Sequence, residues 1–467
     1  MHQDAAHTLA EFVATLGFDD LPAPVVEHAR LHLLDTLGVA IRGRSHPNAQ
    51  CALRGVQALD GAAGRVRVWG SEATLAAPFA ALANGVAAHV LDFDDTHTDS
   101  IVHGSAIVAP VVLALGEAHD ADGAALVTAF VAGWEVAARV GLASRGSFHA
   151  RGFHTTSIAG VFGAAAAAAR LLALETPAIV HALGLAGSQA AGINEYLSNS
   201  SSAKSLHTGW SAHAGIVAAT LARAGMTGPA SVFEGRDGVL HTHGKREDAE
   251  VDALTAGLGS RFETARISIK PYPCCHFAHA FVDCVGALAA RGVRADDVAR
   301  IECVVPTTEV PLICEPAAQK AKPATPYAAK FSLPFLLASR IVDGAIRHAT
   351  FDLANLARDD LARFAARVTY RVAQPGETPF PRTFPGWIEA TLRDGSTLVE
   401  RVDVNAGHPD NALTIAQVRA KFIDNAGETL GEAQAARVVA SVAALPDASA
   451  ADLASALAPI REPLPQP

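Results

Sequence analysis

The chain has 467 residues, of which 50% are hydrophobic and 18% are charged, and its formal net charge is −10. This composition supports large cores and excludes a wholly disordered chain. Because one core stops growing at about 250–300 residues, the length predicts two or three domains. The acidic balance argues against nucleic acid or an anionic membrane as a partner.

Targeting and cysteine patterns favour a cytoplasmic protein. The start, Met1-His-Gln-Asp, has an acid and no apolar stretch, so we expect no secretory signal. The apolar windows are alanine-rich and contain His, Gly or Pro, which favours buried core helices over membrane spans. The six cysteines form no CxxC pair, so we expect reduced thiols and neither a metal ion nor an iron–sulfur cluster.

Helical periodicity runs from residue 5 to about 240 and predicts an all-α bundle. Apolar residues recur at helical spacing, and many faces carry only Ala and Gly. The predicted helices include Leu75–Asp92, Ala106–His119, Gly123–Leu142, Thr156–Leu174, Pro177–Ala191 and Ser205–Ala224.

The pattern changes near residue 265, where short strand-like runs alternate with helices. Helical periodicity returns at Thr414, so we expect the C-terminal helices to rejoin the first bundle. The predicted fold is mainly α: a large all-helical domain of residues 1–265 and 405–467, with an inserted α+β lid domain of residues 266–404. Its strand-like runs are Arg266–Ile269, Ile301–Val305, Val368–Val372 and the pair Trp387–Arg393 and Thr397–Val404 about a hairpin turn, and its helices are His279–Ala290 and Ala328–Ile341.

A polar cluster, Asp92–His103, interrupts the apolar helices with four carboxylates and two imidazoles. Buried charges need partners or a ligand, so the cluster predicts either a substrate site or a solvated, helix-capping loop. Carboxylate, hydroxyl and imidazole groups suit proton transfer at carbon. We favour the substrate site.

Two further segments precede predicted helices. Arg151–Thr156 offers His154, with a plain threonine cap and a structural histidine as the alternative. The serine-rich segment Asn194–His207 contains Ser202 and, near its end, Lys204, the first lysine of the chain. Hydroxyls, backbone N–H groups and an ammonium predict a carboxylate-binding site, with a flexible linker as the alternative.

The segment Lys270–His279 offers a cation, a phenol, thiols and imidazoles: Lys270, Tyr272, Cys275 and His276. The alternatives are a proline-stiffened structural turn, a zinc site that lacks a third convergent ligand, and a Cys–His nucleophile pair. Adjacent residues on one strand diverge, which disfavours the pair.

Several motifs in order along the chain resemble the MmgE/PrpD family, which includes 2-methylcitrate dehydratase, cis-aconitate decarboxylase and iminodisuccinate epimerase. They cover residues from about 34 to 414. The motifs are Leu34-Asp-Thr-Leu-Gly, Asp92-Phe-Asp-Asp-Thr96, Gly104-Ser105, Gly152-Phe-His-Thr, Ser202-Ala-Lys204-Ser-Leu-His207-Thr-Gly, Lys270-Pro-Tyr-Pro-Cys-Cys, Ala329-Lys-Phe-Ser-Leu-Pro and Gly407-His-Pro-Asp-Asn-Ala-Leu-Thr.

The resemblance implies a homodimer and a cofactor-free site in the cleft between a helical domain and a lid. By similarity to the decarboxylase, the catalytic residues are Asp92, Thr96, His103, His154 and Lys204. The family's lid histidine falls on Cys275, with His276 one residue on, and Phe335 stands where the family has tyrosine. The first loop is about one residue longer than in the decarboxylase and reads His103-Gly-Ser instead of His-Pro-Ser.

The predicted function is a lyase that acts on a small di- or tricarboxylate by proton transfer next to a carboxylate. We expect first a 2-methylcitrate dehydratase-like enzyme, and second an aconitate decarboxylase-like one, without metal or cofactor. Lys204 and His103, together with Ser202, Lys270 and Tyr272, are expected to bind the substrate. Alternatives are an isomerase of the iminodisuccinate epimerase type and a non-catalytic carboxylate-binding paralogue.

Overall fold

The computed structural model describes residues 4–60, 64–199, 201–380 and 382–458. The chain divides into two compact units, which we call unit 1 (Met1–Ile269 and Thr414–Pro467) and unit 2 (Lys270–Leu413). The sequence analysis expects its divisions near residues 266 and 404. The fold class is mainly α, as predicted.

The first part of unit 1 is helical apart from four two-residue strands. Strand β1 (Val66–Arg67) pairs antiparallel with β2 (Thr74–Leu75), and β3 (Thr96–His97) pairs antiparallel with β4 (Ile267–Ser268). The helices are α1 (Ala5–Thr15), α2 (Ala23–Gly43), α3 (Pro47–Asp60), α4 (Ala77–His89), α5 (Ser105–His119), α6 (Gly123–Ser144), α7 (Ser147–Ala150), α8 (Thr155–Leu171), α9 (Thr176–Gly187), α10 (Tyr196–Asn199), α11 (Ala203–Arg223) and α12 (Val239–Thr242).

Unit 2 contains a four-stranded sheet of β5 (Val298–Val305), β6 (Val368–Val372), β7 (Gly386–Leu392) and β8 (Thr397–Val402) in the order β6-β5-β7-β8. Strands β5 and β6 are parallel and the other pairs antiparallel, so unit 2 is α+β. The helices are α13 (His279–Ala290), α14 (Val310–Ile313), α15 (Ala317–Ala321), α16 (Pro326–Lys330), α17 (Leu333–Asp343), α18 (Leu353–Leu356) and α19 (Asp359–Ala365).

The chain then returns to unit 1 through α20 (Ile415–Leu430), α21 (Glu432–Ala443) and α22 (Ala450–Leu457). Thr414 caps α20: its hydroxyl accepts from the Gln417 N–H, and the Gln417 side chain accepts from the Thr414 N–H. The return of helical periodicity therefore marks a real helix start.

One predicted helix is wrong. The segment Ala328–Ile341 forms the end of α16 and most of α17, which are separated at Phe331 and Ser332. Ser332 caps α17, and Pro334 follows in its first turn, where a missing N–H costs nothing. The apolar pattern is continuous across the break, which explains the error.

Helix α6 lies in the core of unit 1. By length and composition alone it is the one described helix that could cross a membrane, but 89% of its apolar window is buried inside the protein. A buried core helix of a globular unit has this character. The structure therefore accounts for its apolar sequence by packing.

A close helix crossing positions much of the candidate site. A Cβ atom on Gly85 of α4 would lie 2.9 Å from the Cα of Gly209 in α11, so both positions need glycine. The Thr208 hydroxyl also donates to the Gly85 carbonyl across this crossing, at 2.8 Å. The contact brings the C-terminal end of α4, with His89, close to the first turns of α11.

Candidate active site

The Asp92–His103 loop lies between α4 and α5 and is almost entirely buried. Asp94, Asp95 and His97 are fully buried, whereas Asp99 is exposed. The alternative of a solvated capping loop is therefore wrong. Pairing of β3 with β4 holds the loop, with Thr96 opposite Ser268.

His97 fastens the same loop to the segment before β4. Its Nε2 lies 3.2 Å from a Glu263 carboxylate oxygen, and its Nδ1 lies 2.8 Å from the Ser100 hydroxyl. Burial by itself would raise the pKa of Glu263, but the hydrogen bond and charge of His97, with the charge of Arg261, lower it to about 2. Glu263 is therefore an anion that anchors the loop.

Two acids of the loop hold histidines. Asp95 accepts a hydrogen bond from His32 Nδ1 of α2 at 2.7 Å, and it also accepts from the Ser105 hydroxyl. Asp94 accepts from His89 Nδ1 at the end of α4, also at 2.7 Å. Carboxylate pairing of this kind fixes the ring orientation and leaves Nε2 of each histidine available.

Asp92 pairs with the predicted catalytic lysine. Lys204 Nζ lies 2.5 Å from Asp92 Oδ1, with the two side chains 14% and 6% exposed. The backbone of Asp92 is left-handed, with φ of 55°, which is uncommon outside glycine and is found at functional sites. The loop thus carries strain where it presents this carboxylate to Lys204.

His103 faces the same region with a defined tautomer. Its Nδ1 lies 2.8 Å from the Asp95 carbonyl oxygen and 3.1 Å from the Thr96 hydroxyl. Because a carbonyl only accepts, Nδ1 of His103 carries the hydrogen. The backbone N–H of His103 donates to Thr156 at the start of α8, at 3.1 Å.

His154 precedes α8 and pairs with another histidine. Its Nδ1 lies 3.0 Å from the Nδ1 of His207 in α11, and Tyr196 packs edge-on against both rings. Its side chain does not cap the helix, and the Thr155 hydroxyl is 2.9 Å from His149 Nδ1. His154 stands at the N-cap position, so the alternative of a plain threonine cap is wrong.

The electrostatics of this group disfavour charged imidazoles. Burial, the neighbouring histidines and the Lys204 ammonium hold the pKa of His154 well below its usual value. Burial first, and then His89 and Lys204, lower the pKa of His207 to about 4. Burial and Lys204 lower the pKa of His149 to about 4. At neutral pH the rings of His149, His154 and His207 beside the Lys204 ammonium are therefore uncharged.

The predicted residues of unit 2 lie before α13. Tyr272 donates to Asp283 at 2.7 Å, which together with burial raises the pKa of the phenol. His276 Nε2 accepts from the Asn405 amide at 3.0 Å, while Cys275 is the residue before a short 3₁₀ turn. Lys270 is buried, and the roles of these four residues remain predictions from the family resemblance.

Sequence reasoning missed four residues of the cluster in unit 1: His89, His149, Tyr196 and His207. Two had a readable signal, because His89 precedes Asp92 by three residues and His207 follows Lys204 by three on one helix. His149 also lies only five residues before His154, whereas Tyr196 meets the cluster through tertiary packing. Ser202, predicted to bind substrate, is exposed at the start of α11.

The residues His89, Asp94 and His103 are the one described group with metal-ligand chemistry, their ligand atoms lying within 4.8 Å of one another. However, His103 Nδ1 donates to a carbonyl, and the 2.7 Å contact of His89 Nδ1 with Asp94 is a hydrogen-bond distance. Two ligands of one metal ion, each about 2.0–2.2 Å from it, lie farther apart than this in tetrahedral geometry. The arrangement fits a hydrogen-bonded network better than a metal centre.

Two surface cavities, of about 710 and 430 Å³, are lined by other residues. The first lies around Gly184 and His243 in unit 1, and the second around Cys314 and Tyr370 in unit 2. Arg236, Asp237 and His243 line the first cavity, but Arg236 and Asp237 are exposed and pair with each other. The buried histidine cluster is therefore the better candidate active site.

The geometry defines a helical protein with a buried lysine–carboxylate pair among imidazoles, a set of groups suited to acid–base chemistry on an anion. The MmgE/PrpD N-terminal domain matches residues 7–252, and the MmgE/PrpD C-terminal domain matches residues 272–446. The chain belongs to the MmgE/PrpD family, as its motifs indicate.

Curated relatives cover most of the chain. The cis-aconitate decarboxylase of Homo sapiens is 27% identical over 441 residues, which are 92% of this chain and 89% of the relative. The enzyme of the same name from Mus musculus is 26% identical over 92% of this chain and 88% of its own length. That from Aspergillus terreus is 25% identical over 85% and 84% of the two chains.

Proposed function

We propose that this protein is a cofactor-independent lyase that decarboxylates a small unsaturated tricarboxylate resembling cis-aconitate. The observation that carries the proposal is the Lys204–Asp92 ion pair, set among His89, His103, His154 and His207. The names of the relatives support decarboxylation as the reaction.

Lys204 is the group that recognises the substrate. The Lys204 ammonium lies 2.5 Å from the Asp92 carboxylate and therefore already has the geometry for binding a carboxylate. A substrate carboxylate replaces Asp92 at this ammonium or shares the ammonium with it. The position at the start of α11 adds the positive end of the helix dipole. Both features favour a polyanion.

The chemistry balances without a metal or cofactor. The bond between carbon and one carboxylate breaks, CO₂ leaves, and the electron pair remains on a carbon conjugated with the rest of the substrate. The Lys204 ammonium stabilises this charge, and His154 donates a proton to the carbon. A tricarboxylate trianion and one proton thus give CO₂ and an unsaturated dicarboxylate dianion.

Asp92 and His103 also have roles in the proposed site. Asp92 orients the Lys204 ammonium, while His103, held through Nδ1 by the Asp95 carbonyl, adds an imidazole to the binding of the substrate carboxylates. Thr96 contacts the opposite nitrogen of His103 and holds the ring. These roles follow the resemblance and the contacts together.

A hydro-lyase on a hydroxytricarboxylate is the second candidate. It is favoured by one observation, that Phe335 stands where the family resemblance expects a tyrosine. Loss of water needs the same cation and bases, but it releases no CO₂.

The test is incubation with cis-aconitate, citrate, 2-methylcitrate and iminodisuccinate in deuterated water, followed by NMR. Decarboxylation gives a five-carbon product with one C–D bond and releases CO₂. Dehydration without CO₂ would establish the hydro-lyase, and bare exchange or inversion an isomerase; either outcome contradicts the proposal. Activity should survive dialysis against a chelator, and its loss with recovery on adding metal would overturn the cofactor-free reaction.

A further inference from the structure

The pair formed by His154 and His207 has a geometry that limits how many protons it holds. The two Nδ1 atoms are 3.0 Å apart, so a single hydrogen lies between them. In the neutral pair one ring donates from Nδ1, and the other accepts at Nδ1 and carries its own hydrogen on Nε2. One added proton fits on the free Nε2 of the donor ring, but a second would force two hydrogens between the facing nitrogens.

We propose that His154 and His207 form a shared-proton pair that takes up one additional proton when a polycarboxylate binds and supplies it to the substrate carbon. His207 is then a positioning residue that acts through His154. This inference rests on the proposed function for its last step, whereas the proton uptake stands on the geometry of the pair.

The groups that face His154 come from several elements. His89 of α4 lies 5.8 Å away between ring centroids, His103 of the loop 6.4 Å and His149 of α7 6.1 Å. Tyr196 of α10 lies 6.1 Å away. Lys204 supplies the positive charge, Asp92 pairs with Lys204, and Asp94 pairs with His89.

These surroundings make the charge of the pair depend on an anion. Without one, burial and the ammonium keep the pKa of both rings low, so the pair carries no extra proton at neutral pH. A bound anion with two or three carboxylates reverses the sign of the local charge and favours the imidazolium. Binding and protonation are therefore linked.

The linkage matches what decarboxylation requires. Each turnover consumes one proton when the carbon that loses CO₂ gains a hydrogen. The imidazolium of His154 donates that proton to the electron pair left on carbon, the new C–H bond forms, and the pair returns to its neutral state. Proton uptake with the next substrate restores it.

The experiment is calorimetric titration of the protein with tricarballylate, a saturated tricarboxylate, at pH 7 in buffers of different ionisation enthalpy. We expect the wild type to take up about one proton per site, because the pair has one nitrogen, the Nε2 of the donor ring, that can accept a proton. His207→Asn retains a hydrogen-bonding partner for His154 but does not titrate, and we expect uptake below half a proton.

The pH profile separates this role from a structural one. With cis-aconitate, His207→Asn should lower kcat at pH 7.5 by about 30-fold or more, within the range for general acid–base groups, with a smaller change in KM. The loss should shrink as the pH falls. His213→Asn is the matched control, because His213 lies on the same helix and contacts only the Pro78 carbonyl and nearby rings.

Unchanged proton uptake and an unchanged pH profile in His207→Asn would overturn the shared pair, as would failure of the wild type to bind tricarballylate or citrate. His207→Gln serves if the first variant does not fold. Proton uptake without CO₂ release from cis-aconitate would contradict the proposed reaction alone. Turnover without proton uptake would contradict the pair alone.

Discussion

Asp94 and Asp95 in unit 1 and Glu309 in unit 2 are fully buried carboxyl groups with opposite surroundings. Each aspartate has an imidazole nitrogen 2.7 Å away, from His89 or His32. Among the residues that the structure describes, neither Glu309 oxygen has a hydrogen-bond partner. Burial accordingly raises the pKa of Glu309 well above its usual range, which favours the protonated acid.

The difference shows what the polar loop requires of its surroundings. A buried carboxylate keeps its charge only where a cation or a hydrogen-bonding group compensates for lost hydration. The loop Asp92–Thr96 receives such partners from α2, α4 and α11, so it keeps charges beside the candidate site. Unit 2 supplies none at Glu309, and that group becomes a neutral core residue.

The largest effect is expected from Lys204→Met, which turns Asp92 into a buried acid without its ammonium. Loss of the only cation assigned to charge stabilisation should lower kcat/KM for cis-aconitate about 10³-fold, comparable to loss of an oxyanion-stabilising group. Steady-state CO₂ release measures this. Lys245→Met, at an exposed lysine of the same unit, is the control, and retention of more than a tenth of the activity would remove Lys204 from the mechanism.

Asp92→Asn tests the other half of the pair. It keeps the shape of the side chain but removes its charge, so we expect kcat to fall about 10²-fold with a smaller change in KM. The exposed Asp99→Asn in the same loop should leave both constants unchanged. A change in KM alone would reduce Asp92 to a group that only binds substrate.

A sequence can indicate the partners of this loop only where they are local. Helices α5 and α6 begin within one residue of their predicted starts, because apolar periodicity and caps are short-range signals. His89 and Asp94 lie five residues apart and could have been paired. His32 and Asp95 lie 63 residues apart, and their contact depends on how α2 packs, which a single sequence does not encode as a pattern.

The burial of Glu309, by contrast, has no signal in the sequence. The segment between β5 and β6 contains several short helices, of which the sequence predicts only one continuous helix. Short helices have weak periodicity, and an acid among them has the composition of an exposed turn. Its burial follows from the packing of unit 2 and could not be predicted.

A further buried carboxylate, Asp35 of α2, pairs with a lysine. Lys421 Nζ of α20 lies 2.7 Å from Asp35 Oδ1, donates to the Phe93 carbonyl at 3.1 Å and lies 3.8 Å above the Phe93 ring. Lys421→Met should lower the free energy of unfolding by about 3–5 kcal/mol, because it leaves a buried charge uncompensated.

The pH dependence of that loss has a definite sign. Burial raises the pKa of Asp35 despite Lys421, and removing the cation raises it further. A raised pKa in the folded state favours stability at low pH, so the defect should be larger at pH 8 than at pH 5 in urea unfolding. The double variant Asp35→Asn, Lys421→Met should recover much of the loss, and no recovery would contradict the pairing.

Glu309→Gln is expected to change the free energy of unfolding with the opposite sign. In the unfolded chain this carboxyl ionises above about pH 4.3, while in the fold it stays protonated to a much higher pH. Over that window the wild type therefore loses up to about 1.4 kcal/mol of stability for each pH unit, a dependence that glutamine lacks. Urea midpoints of the two proteins should be similar near pH 4 and diverge as the pH rises, with Glu309→Gln the more stable.

The exposed Glu432→Gln should show no divergence. Parallel curves for Glu309→Gln would mean that its carboxylate is compensated in the fold as those of Asp94 and Asp95 are.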